Sequence, residues 1–252
     1  MIEYKHVIAN YQRNKYQNLF FDNFVLLKEE LIMYIQLNSQ VLYYEHYGEG
    51  EKVLILLHGN GEDHSIFEEL ISELESSFDI YAIDSRGQGL SATPKEFHYQ
   101  DMAHDVLNFI EALSLKNPAI FGFSDGGIVA LLAEISSPGT FTHLIAAGAN
   151  TTPDALNFSA RREIKREFKK TDNPLMNLML TEPQISKEDL SRIACPTLLL
   201  GGQKDMISSK DFKKMEDGIK DATLEILKGE DHASYVIHSS VLAPKLSEFI
   251  IN

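Results

Sequence analysis

The sequence predicts an α/β fold in which helices flank a mostly parallel, eight-stranded sheet. Short apolar runs alternate along the chain with segments of helical spacing, and this alternation is typical of parallel strands joined by crossover helices. The run from Val53 to Leu57 is apolar at every position, as a central strand covered on both faces requires. With 252 residues, 44% of them hydrophobic, the chain is long enough to bury one substantial core.

The predicted strands and helices follow one another in chain order. Each strand is a short apolar stretch bounded by turn-forming residues, and the eight strands cover 33–37, 41–47, 53–58, 80–84, 119–122, 144–147, 197–201 and 224–227. Ser65, followed three positions later by Glu68, forms a capping-box pattern that predicts the first helix. Further helices are predicted over 101–113, directly after Ser124, and over 241–251.

Two segments depart from this alternation. Residues 1–32 mix polar and aromatic residues with irregular periodicity and are interpreted as an N-terminal helical extension. Met33 directly precedes the first strand, so an alternative is that the natural start is Met33 and the preceding segment is an upstream extension. Residues 150–187 fit no strand and predict a small helical cap inserted into a domain that spans 33–252.

The composition excludes several classes of function. The formal net charge is −14 at pH 7, so binding to nucleic acid or to an anionic membrane surface, which needs a basic patch, is not expected. No stretch approaches a membrane span of about 18 apolar residues, and the N-terminus lacks the pattern of a signal peptide. The single cysteine, Cys195, cannot form an internal disulfide and is interpreted as core filler. These features predict a protein of the reducing cytoplasm.

A serine lies in a glycine-rich turn where a predicted strand meets a predicted helix. Gly122, Ser124 and Gly126 form the pattern Gly-x-Ser-x-Gly, which carries meaning in a strand–turn–helix context. A nucleophilic serine in such a turn has strained backbone geometry, and glycines beside it avoid clashes between neighbouring backbone segments. The helix start also provides free N–H groups and a dipole that favour developing negative charge. The alternative is an ordinary glycine-rich turn.

A second loop, His58-Gly59-Asn60-Gly61, follows the apolar strand that begins at residue 53. A loop at this place can supply a backbone N–H to an oxyanion. The predicted donors are the main-chain amides of Asn60 and Asp125. His58 itself is assigned a structural role, because a histidine at the end of a buried strand usually hydrogen-bonds the loop that it supports.

These segments resemble the α/β-hydrolase fold superfamily. The resemblance rests on the His58-Gly59 loop, on the turn at residues 84–91 and on the turn around Ser124, and it covers the chain from Met33 onward. In that family an acid follows a later strand and a histidine lies near the C-terminus, in the chain order Ser, Asp, His. The resemblance therefore implies a catalytic triad whose nucleophile is Ser124.

Two residues match the remaining triad positions. Asp205 follows the strand predicted at 197–201, and His232 follows the strand predicted at 224–227, so both lie beyond strand ends where open α/β sheets place their sites. Rivals exist for each position. His238 is the nearest alternative histidine, but it is expected in or beside a helix. Asp211 and Asp231 are alternative acids, for which helix capping is the simpler explanation.

The predicted activity is hydrolysis of small carboxylic esters through an acyl-enzyme on Ser124, with His232 as general base and Asp205 orienting the histidine. The same residues could instead cleave a carbon–carbon bond or an amide, and a non-catalytic ligand-binding module of this fold is a further alternative. A serine at this turn argues against dehalogenase and epoxide hydrolase chemistry, which the family performs with a carboxylate. No cofactor and no metal is expected, since the histidines lack zinc-binding spacing.

Further interpretations concern the surroundings of the predicted site. Asp84 and Arg86 are expected to form a salt bridge that holds their turn. The carboxylate of Asp125 either stabilises the start of its own helix or faces the substrate and favours neutral or cationic leaving groups. Apolar side chains of the cap either line a modest acyl pocket or only pack the cap on the core, and the candidates are Phe158, Met176 and Met179.

Overall fold

One eight-stranded sheet runs through residues 33–38 and 40–251, the part of the chain that the computed structural model describes. Its strands are β1 (Tyr34–Leu37), β2 (Gln40–Tyr47), β3 (Lys52–Leu57), β4 (Phe78–Ile83), β5 (Ala119–Phe123), β6 (Leu144–Ala147), β7 (Thr197–Lys204) and β8 (Ala222–Asp231). Their order across the sheet is β1-β2-β4-β3-β5-β6-β7-β8. β2 pairs antiparallel with β1 and β4, whereas the other pairings are parallel. The predicted fold class is confirmed.

Helices connect the parallel strands and cover both faces of the sheet. They are α1 (Glu68–Leu74), α2 (Tyr99–Ala112), α3 (Asp125–Ser136), α4 (Phe158–Thr171), α5 (Pro174–Thr181), α6 (Lys187–Leu190), α7 (Ser209–Gly218) and α8 (Ala243–Ile251). Among residues 33–38 and 40–251, none of these helices combines the length and the apolar character that crossing a bilayer requires. The predicted extension at residues 1–32 lies outside the described part of the chain.

The central strand β3 separates two apolar layers. Ile55 and Leu57 belong to the cluster that includes side chains of α2 and α3, while Leu54 and Leu56 belong to the cluster formed with α1 and α8. All four side chains are at most 1% exposed. Because successive strand residues point to opposite faces, a strand covered on both sides has to be apolar at every position. This is the physical reason for the uninterrupted apolar run in the sequence.

The segment between β6 and β7 leaves the sheet and forms α4, α5 and the short helix α6. It begins with a 3-10 turn at Pro153–Ala155. Two backbone hydrogen bonds hold it against the loop after β7. The amide of Asn157 donates to the carbonyl of Met206 at 2.8 Å, and the amide of Ser208 donates to the carbonyl of Ala155 at 2.9 Å; together they form the bridge between Leu156 and Ile207. Helical structure therefore lies where the sequence predicts a cap.

The capping box predicted at Ser65 is wrong. Asp63 stands at the start of a 3-10 turn, His64–Phe67, and its carboxylate accepts the backbone N–H of Ser65 at 3.0 Å. The α-helix α1 begins only at Glu68. An aspartate is as good an N-cap as a serine. Asp63 therefore caps the 3-10 turn two residues before Ser65, the predicted cap.

The predicted salt bridge between Asp84 and Arg86 is also wrong. Asp84 is fully buried, and its carboxylate accepts the backbone N–H groups of His64 at 2.9 Å and Leu90 at 2.8 Å. Arg86 instead makes two hydrogen bonds of 2.7 Å to the carboxylate of Asp105 on α2. In the folded chain each of these side chains contacts a partner farther away in the sequence. The two-residue spacing between Asp84 and Arg86 could not predict those partners.

The ion pair between Arg86 and Asp105 supports a specific prediction about stability. Their side chains are only 12% and 7% exposed. In Asp105→Asn the guanidinium keeps, among the described residues, only the half-exposed carboxylate of Asp101 at 3.1 Å, so its charge is poorly compensated in a buried place. We expect the free energy of unfolding, measured with urea, to fall by about 3 kcal/mol. The matched control is Glu163→Gln in the exposed pair with Arg166, where a change of about 0.5 kcal/mol or less is expected. Equal losses in both variants would show that burial does not strengthen the Arg86–Asp105 pair.

Candidate active site

Ser124 lies on a sharp turn between β5 and α3. Its backbone has φ 52° and ψ −116°, a region that L-residues rarely adopt and that costs about 1–3 kcal/mol. The flanking glycines make this turn possible: a Cβ on Gly122 would lie 2.1 Å from the carbonyl oxygen of Gly126, and a Cβ on Gly126 would lie 2.2 Å from the carbonyl oxygen of Leu57. The pattern Gly-x-Ser-x-Gly therefore marks a crossing of three backbone segments.

Three side chains from separate loops form a hydrogen-bonded series at this turn. The Oγ of Ser124 is 3.0 Å from Nε2 of His232, and Nδ1 of the same ring is 2.7 Å from Oδ1 of Asp205. The histidine follows β8 directly and the aspartate follows β7 directly, while the serine follows β5. These are the residues selected from the sequence, and the fold brings all three together although the serine and the histidine are 108 positions apart in the chain.

The surroundings hold the aspartate and the histidine in place. Asp205 has a side chain only 2% exposed, and its carboxylate also accepts the backbone N–H groups of Ile207 at 2.9 Å and Gly202 at 3.1 Å. Gly148 lies under the imidazole, since a Cβ at this position would come within 2.8 Å of Cε1 of His232. The role of Gly148 was not predicted from the sequence, where an isolated glycine after a strand was the one available signal.

The rival residues have other partners. The carboxylate of Asp211 accepts the backbone N–H of Thr151 at 2.7 Å and its hydroxyl at 2.6 Å, so it links α7 to the start of the predicted cap rather than capping its own helix. Asp231 accepts the backbone N–H groups of the two residues Ala233 and Ser234, each at 3.0 Å. His238 lies 3.5 Å from the carboxylate of Glu69. None of the three belongs to the series around Ser124.

The loop after β3 carries the first predicted oxyanion donor. The amide of Gly59 donates to Glu62 at 2.9 Å, and the amide of Gly61 donates to Gln88 at 2.5 Å. Among the described residues, the backbone N–H groups of Asn60 and Asp125 donate to no protein acceptor. The loop thus has satisfied amides on both sides of Asn60 and a free amide at Asn60 itself.

His58 has the hydrogen bonds of a structural residue. It is 1% exposed, Nδ1 donates to the carbonyl of Gly59 at 2.7 Å, and Nε2 accepts the backbone N–H of Ser85 at 2.9 Å. These partners require the neutral ring, and burial lowers the pKa of His58. The ring therefore connects its own loop to the turn after β4.

Asp125 is buried beside the serine rather than exposed to solvent. Its side chain accepts a hydrogen bond from the hydroxyl of Tyr99 at 2.7 Å and another from Nδ2 of Asn60 at 2.8 Å. Burial raises the pKa of Asp125 to about 6, and the two donors oppose this rise. The residue begins α3 and also borders the pocket, so both interpretations of this carboxylate have a structural basis.

A small pocket opens beside the serine hydroxyl. It combines apolar side chains with two carboxyl groups, and its lining consists of Tyr99, Ser124, Asp125, Asn150, Leu156, Met179, Glu182, Met206, Ile207 and His232. No lysine or arginine is part of this lining, within the described residues. Glu182 is held by the backbone N–H of Tyr99 at 3.1 Å and by His98 at 2.6 Å. The lining therefore contains two carboxyl groups and neither lysine nor arginine, and the imidazole of His98 pairs with Glu182 from outside the lining.

One of the three predicted pocket residues lies in the pocket. Met179 is part of the lining, whereas Met176 packs against the core and is absent from it. Phe158 is 83% exposed on the outside of α4, so its prediction as a pocket residue is wrong. The face of α4 that points inward is marked instead by the buried Ile164. Met206, which enters the pocket from the loop that follows Asp205, was not predicted from the sequence.

Comparisons with known proteins agree with this architecture. A family model described as the alpha/beta hydrolase fold matches residues 52–171. The serine hydrolase BPHL of Mus musculus is 29% identical over 202 residues, which are 68% of this chain and 69% of that protein. A pimeloyl-[acyl-carrier protein] methyl ester esterase of Aliivibrio salmonicida is 22% identical and covers 83% of this chain and 95% of its own length.

Solved structures extend the agreement to the fold as a whole. An esterase from Exiguobacterium antarcticum superposes with a TM-score of 0.75 at 20% sequence identity, covering 87% of this chain and 99% of that chain. At this level of identity the likeness concerns the fold alone. Together with the matching family model and the hydrolases among its relatives, these findings identify the chain as an α/β-hydrolase fold protein and a hydrolase.

Proposed function

We propose that this hydrolase cleaves carboxylic esters of small molecules through an acyl-enzyme on Ser124. The observation that carries the proposal is the 3.0 Å contact between Oγ of Ser124 and Nε2 of His232, continued by the 2.7 Å contact from that ring to Asp205. A serine hydroxyl is a weak nucleophile until a base accepts its proton, and this geometry provides the base and the group that orients it.

In the first half of the reaction, Oγ of Ser124 attacks the ester carbonyl carbon while its proton passes to Nε2 of His232. The carboxylate of Asp205 accepts the Nδ1–H and stabilises the imidazolium that forms. The tetrahedral intermediate then collapses, the bond to the leaving alcohol breaks, and the alcohol takes the proton from His232. Water attacks the acyl-enzyme with the same base, releasing the carboxylic acid and restoring the serine.

The developing oxyanion needs donors that are free before the substrate arrives. The backbone N–H groups of Asn60 and Asp125 meet this condition among the described residues. We assign them as the oxyanion hole, each contributing on the order of 3 kcal/mol to transition-state stabilisation. The N-terminus of α3 adds a favourable dipole at the same place.

The pocket favours esters that are neutral or positively charged. Asp125 and Glu182 both border it, and the described lining contains no lysine or arginine. An anionic acyl or alcohol group would face two carboxylates, and the like charges would repel it. With Leu156, Met179, Met206 and Ile207 supplying apolar surface, the pocket suits a short apolar chain with a cationic or neutral end.

We also propose that residues 150–187 act as a cap over the site. Leu156, Met179 and Glu182 come from this segment and border the pocket. The carbonyl of Leu175 accepts a hydrogen bond from the side chain of Asn60 at 3.3 Å, which connects α5 to the loop after β3. A segment in this place would select substrates by shape and reduce the amount of bulk water around the site.

Ester hydrolysis should depend on Ser124 and His232. We expect Ser124→Ala to lower kcat on short nitrophenyl esters by about 10⁴-fold or more, because the reaction loses its nucleophile. Fluorophosphonate should label Ser124 in the native chain and fail to label the His232→Ala variant. Ser136→Ala, at the other end of α3, is the matched control and should keep the native rate.

The same assay separates the alternative activities of this triad. Esters should be turned over faster than matched amides and diketones in a steady-state panel. Preference for an amide or a diketone would refute the ester assignment while leaving the nucleophile in place. Native activity in Ser124→Ala would refute the mechanism itself.

The charge of Asp125 predicts a pH-dependent substrate preference. Its pKa of about 6 means that the carboxylate ionises as the pH rises through this value, and an ionised group attracts a cation. We expect the kcat/KM ratio of a quaternary ammonium ester to its neutral tert-butyl isostere to rise between about pH 5 and about pH 7.5. The ratio cancels every pH effect on the catalytic step that the two substrates share.

Asp125→Asn should give a ratio that is lower and independent of pH. The control Asp154→Asn removes a carboxylate whose side chain is 80% exposed and lies outside the pocket, and its ratio should follow that of the native chain. A native ratio that stays flat across this range would contradict the role given to Asp125.

A further inference from the structure

The turn after β4 has no part in the proposed mechanism, although it is one of the three segments on which the resemblance rests. We call residues 84–91 the backing turn and residues 58–64 the oxyanion loop. The two segments are joined by side-chain hydrogen bonds on both sides of Asn60. We therefore ask which of these hydrogen bonds fix the position of the free Asn60 amide.

Contacts at both ends tie the oxyanion loop to the backing turn. Before Asn60, Nε2 of His58 accepts the backbone N–H of Ser85 at 2.9 Å. After it, Asp84 accepts the backbone N–H of His64 at 2.9 Å and Nδ1–H of the same residue at 2.7 Å. Asp84 is fully buried, so these bonds form away from competing water. The ends of the loop are therefore fixed by the backing turn.

Gln88 contacts Gly61, the residue directly after the proposed donor Asn60. Its Oε1 accepts the backbone N–H of Gly61 at 2.5 Å, and its side chain is buried at 5% exposure. Its own backbone is held in the turn, because its N–H donates to Ser85 and its carbonyl accepts the N–H of Ser91, both at 3.0 Å. Gln88 thus presents its amide oxygen from a rigid position.

The N–H of Asn60 lies in the rigid peptide plane that joins it to Gly59, and the next plane carries the N–H of Gly61. The two planes rotate against each other only through φ and ψ of Asn60, so holding the second plane limits the rotation of the first. Gly61 adopts a φ of +75°, and the position that a Cβ would occupy is open, so this residue has no side-chain packing that restrains rotation of the segment. The bond to Gln88 supplies that restraint. On the other side, Glu62 accepts the N–H of Gly59, and the two acceptors leave Asn60 as the free donor of the triplet 59–61.

We infer that Gln88 is a positioning residue of the oxyanion hole, and that the backing turn serves as its rigid support. Gln88 does not touch the substrate; it holds the Gly61 amide so that the neighbouring amide of Asn60 is aimed at the developing oxyanion. The inference rests on the proposed function. On this basis Gln88 contributes to stabilisation of the transition state and contributes little to binding of the ground-state substrate.

Gln88→Leu tests this role, because leucine fills similar space and removes the acceptor. We expect kcat on a nitrophenyl ester to fall by about tenfold to a hundredfold, as for a small misplacement of a catalytic group, with KM changed by less than about twofold. Inhibition by a trifluoromethyl ketone, which forms an anionic tetrahedral adduct, should weaken by about tenfold or more. Gln88→Glu, which keeps an acceptor oxygen, should recover most of kcat.

Gln40→Leu provides the matched control. Gln40 is a glutamine of similar burial, 6% exposed, and its side chain donates to the carbonyl of Ala92 just beyond the backing turn. It makes no hydrogen bond to the oxyanion loop among the described residues. Its replacement removes the same chemical group and should leave kcat and inhibitor affinity at native values. Gln88→Ala, which leaves room for a water molecule, serves as the second variant should Gln88→Leu not fold.

Hydrogen exchange provides a readout that does not depend on activity. The Gly61 amide should exchange faster in Gln88→Leu than in the native chain or in Gln40→Leu. Unchanged exchange, or faster exchange with native kcat, would overturn the inference while the proposed function stands. A native chain without esterase activity and without fluorophosphonate labelling would refute the proposed function, and with it this positioning role.

Discussion

The close crossing of three backbone segments beneath Ser124 is the constraint on which the site depends. The end of β3, the end of β5 and the first turn of α3 approach so closely that a single Cβ on Gly122 or Gly126 would fall within 2.2 Å of a carbonyl oxygen. This contact holds the serine in its strained conformation and places the start of α3 directly behind it. Backbone strain of this kind persists only where the surrounding structure over-determines it.

A parallel sheet collects the remaining groups at the same edge. β3, β5, β7 and β8 run in one direction, so the loops that follow them meet although they are far apart in the chain. Each loop brings a different chemical group: backbone amides after β3, a hydroxyl after β5, a carboxylate after β7 and an imidazole after β8. The topology thus brings these groups to one edge of the sheet, and contacts between the loops then set their positions.

Acidic side chains border the pocket beside the serine. The net charge of the chain is −14, and two of its carboxyl groups, on Asp125 and Glu182, border the pocket. The buried carboxylate of Asp125 accepts hydrogen bonds from Asn60 in the oxyanion loop and from Tyr99 at the start of α2. Asp125 itself follows Ser124, so it links these two elements to the serine turn. A group that connects these elements can influence substrate choice and the geometry of catalysis together.

Periodicity and turn chemistry were enough to predict the eight strands and the sheet class, because alternation, glycine requirements and strand ends are local properties of the sequence. Together with the chain order of the family that the motifs resemble, they also selected Ser124, Asp205 and His232. Local sequence could not decide which side chains meet across the fold. Arg86 pairs with Asp105 rather than Asp84, and Gln88 reaches Gly61. Such partners depend on how helices and loops pack on the sheet, and only the tertiary structure determines that packing.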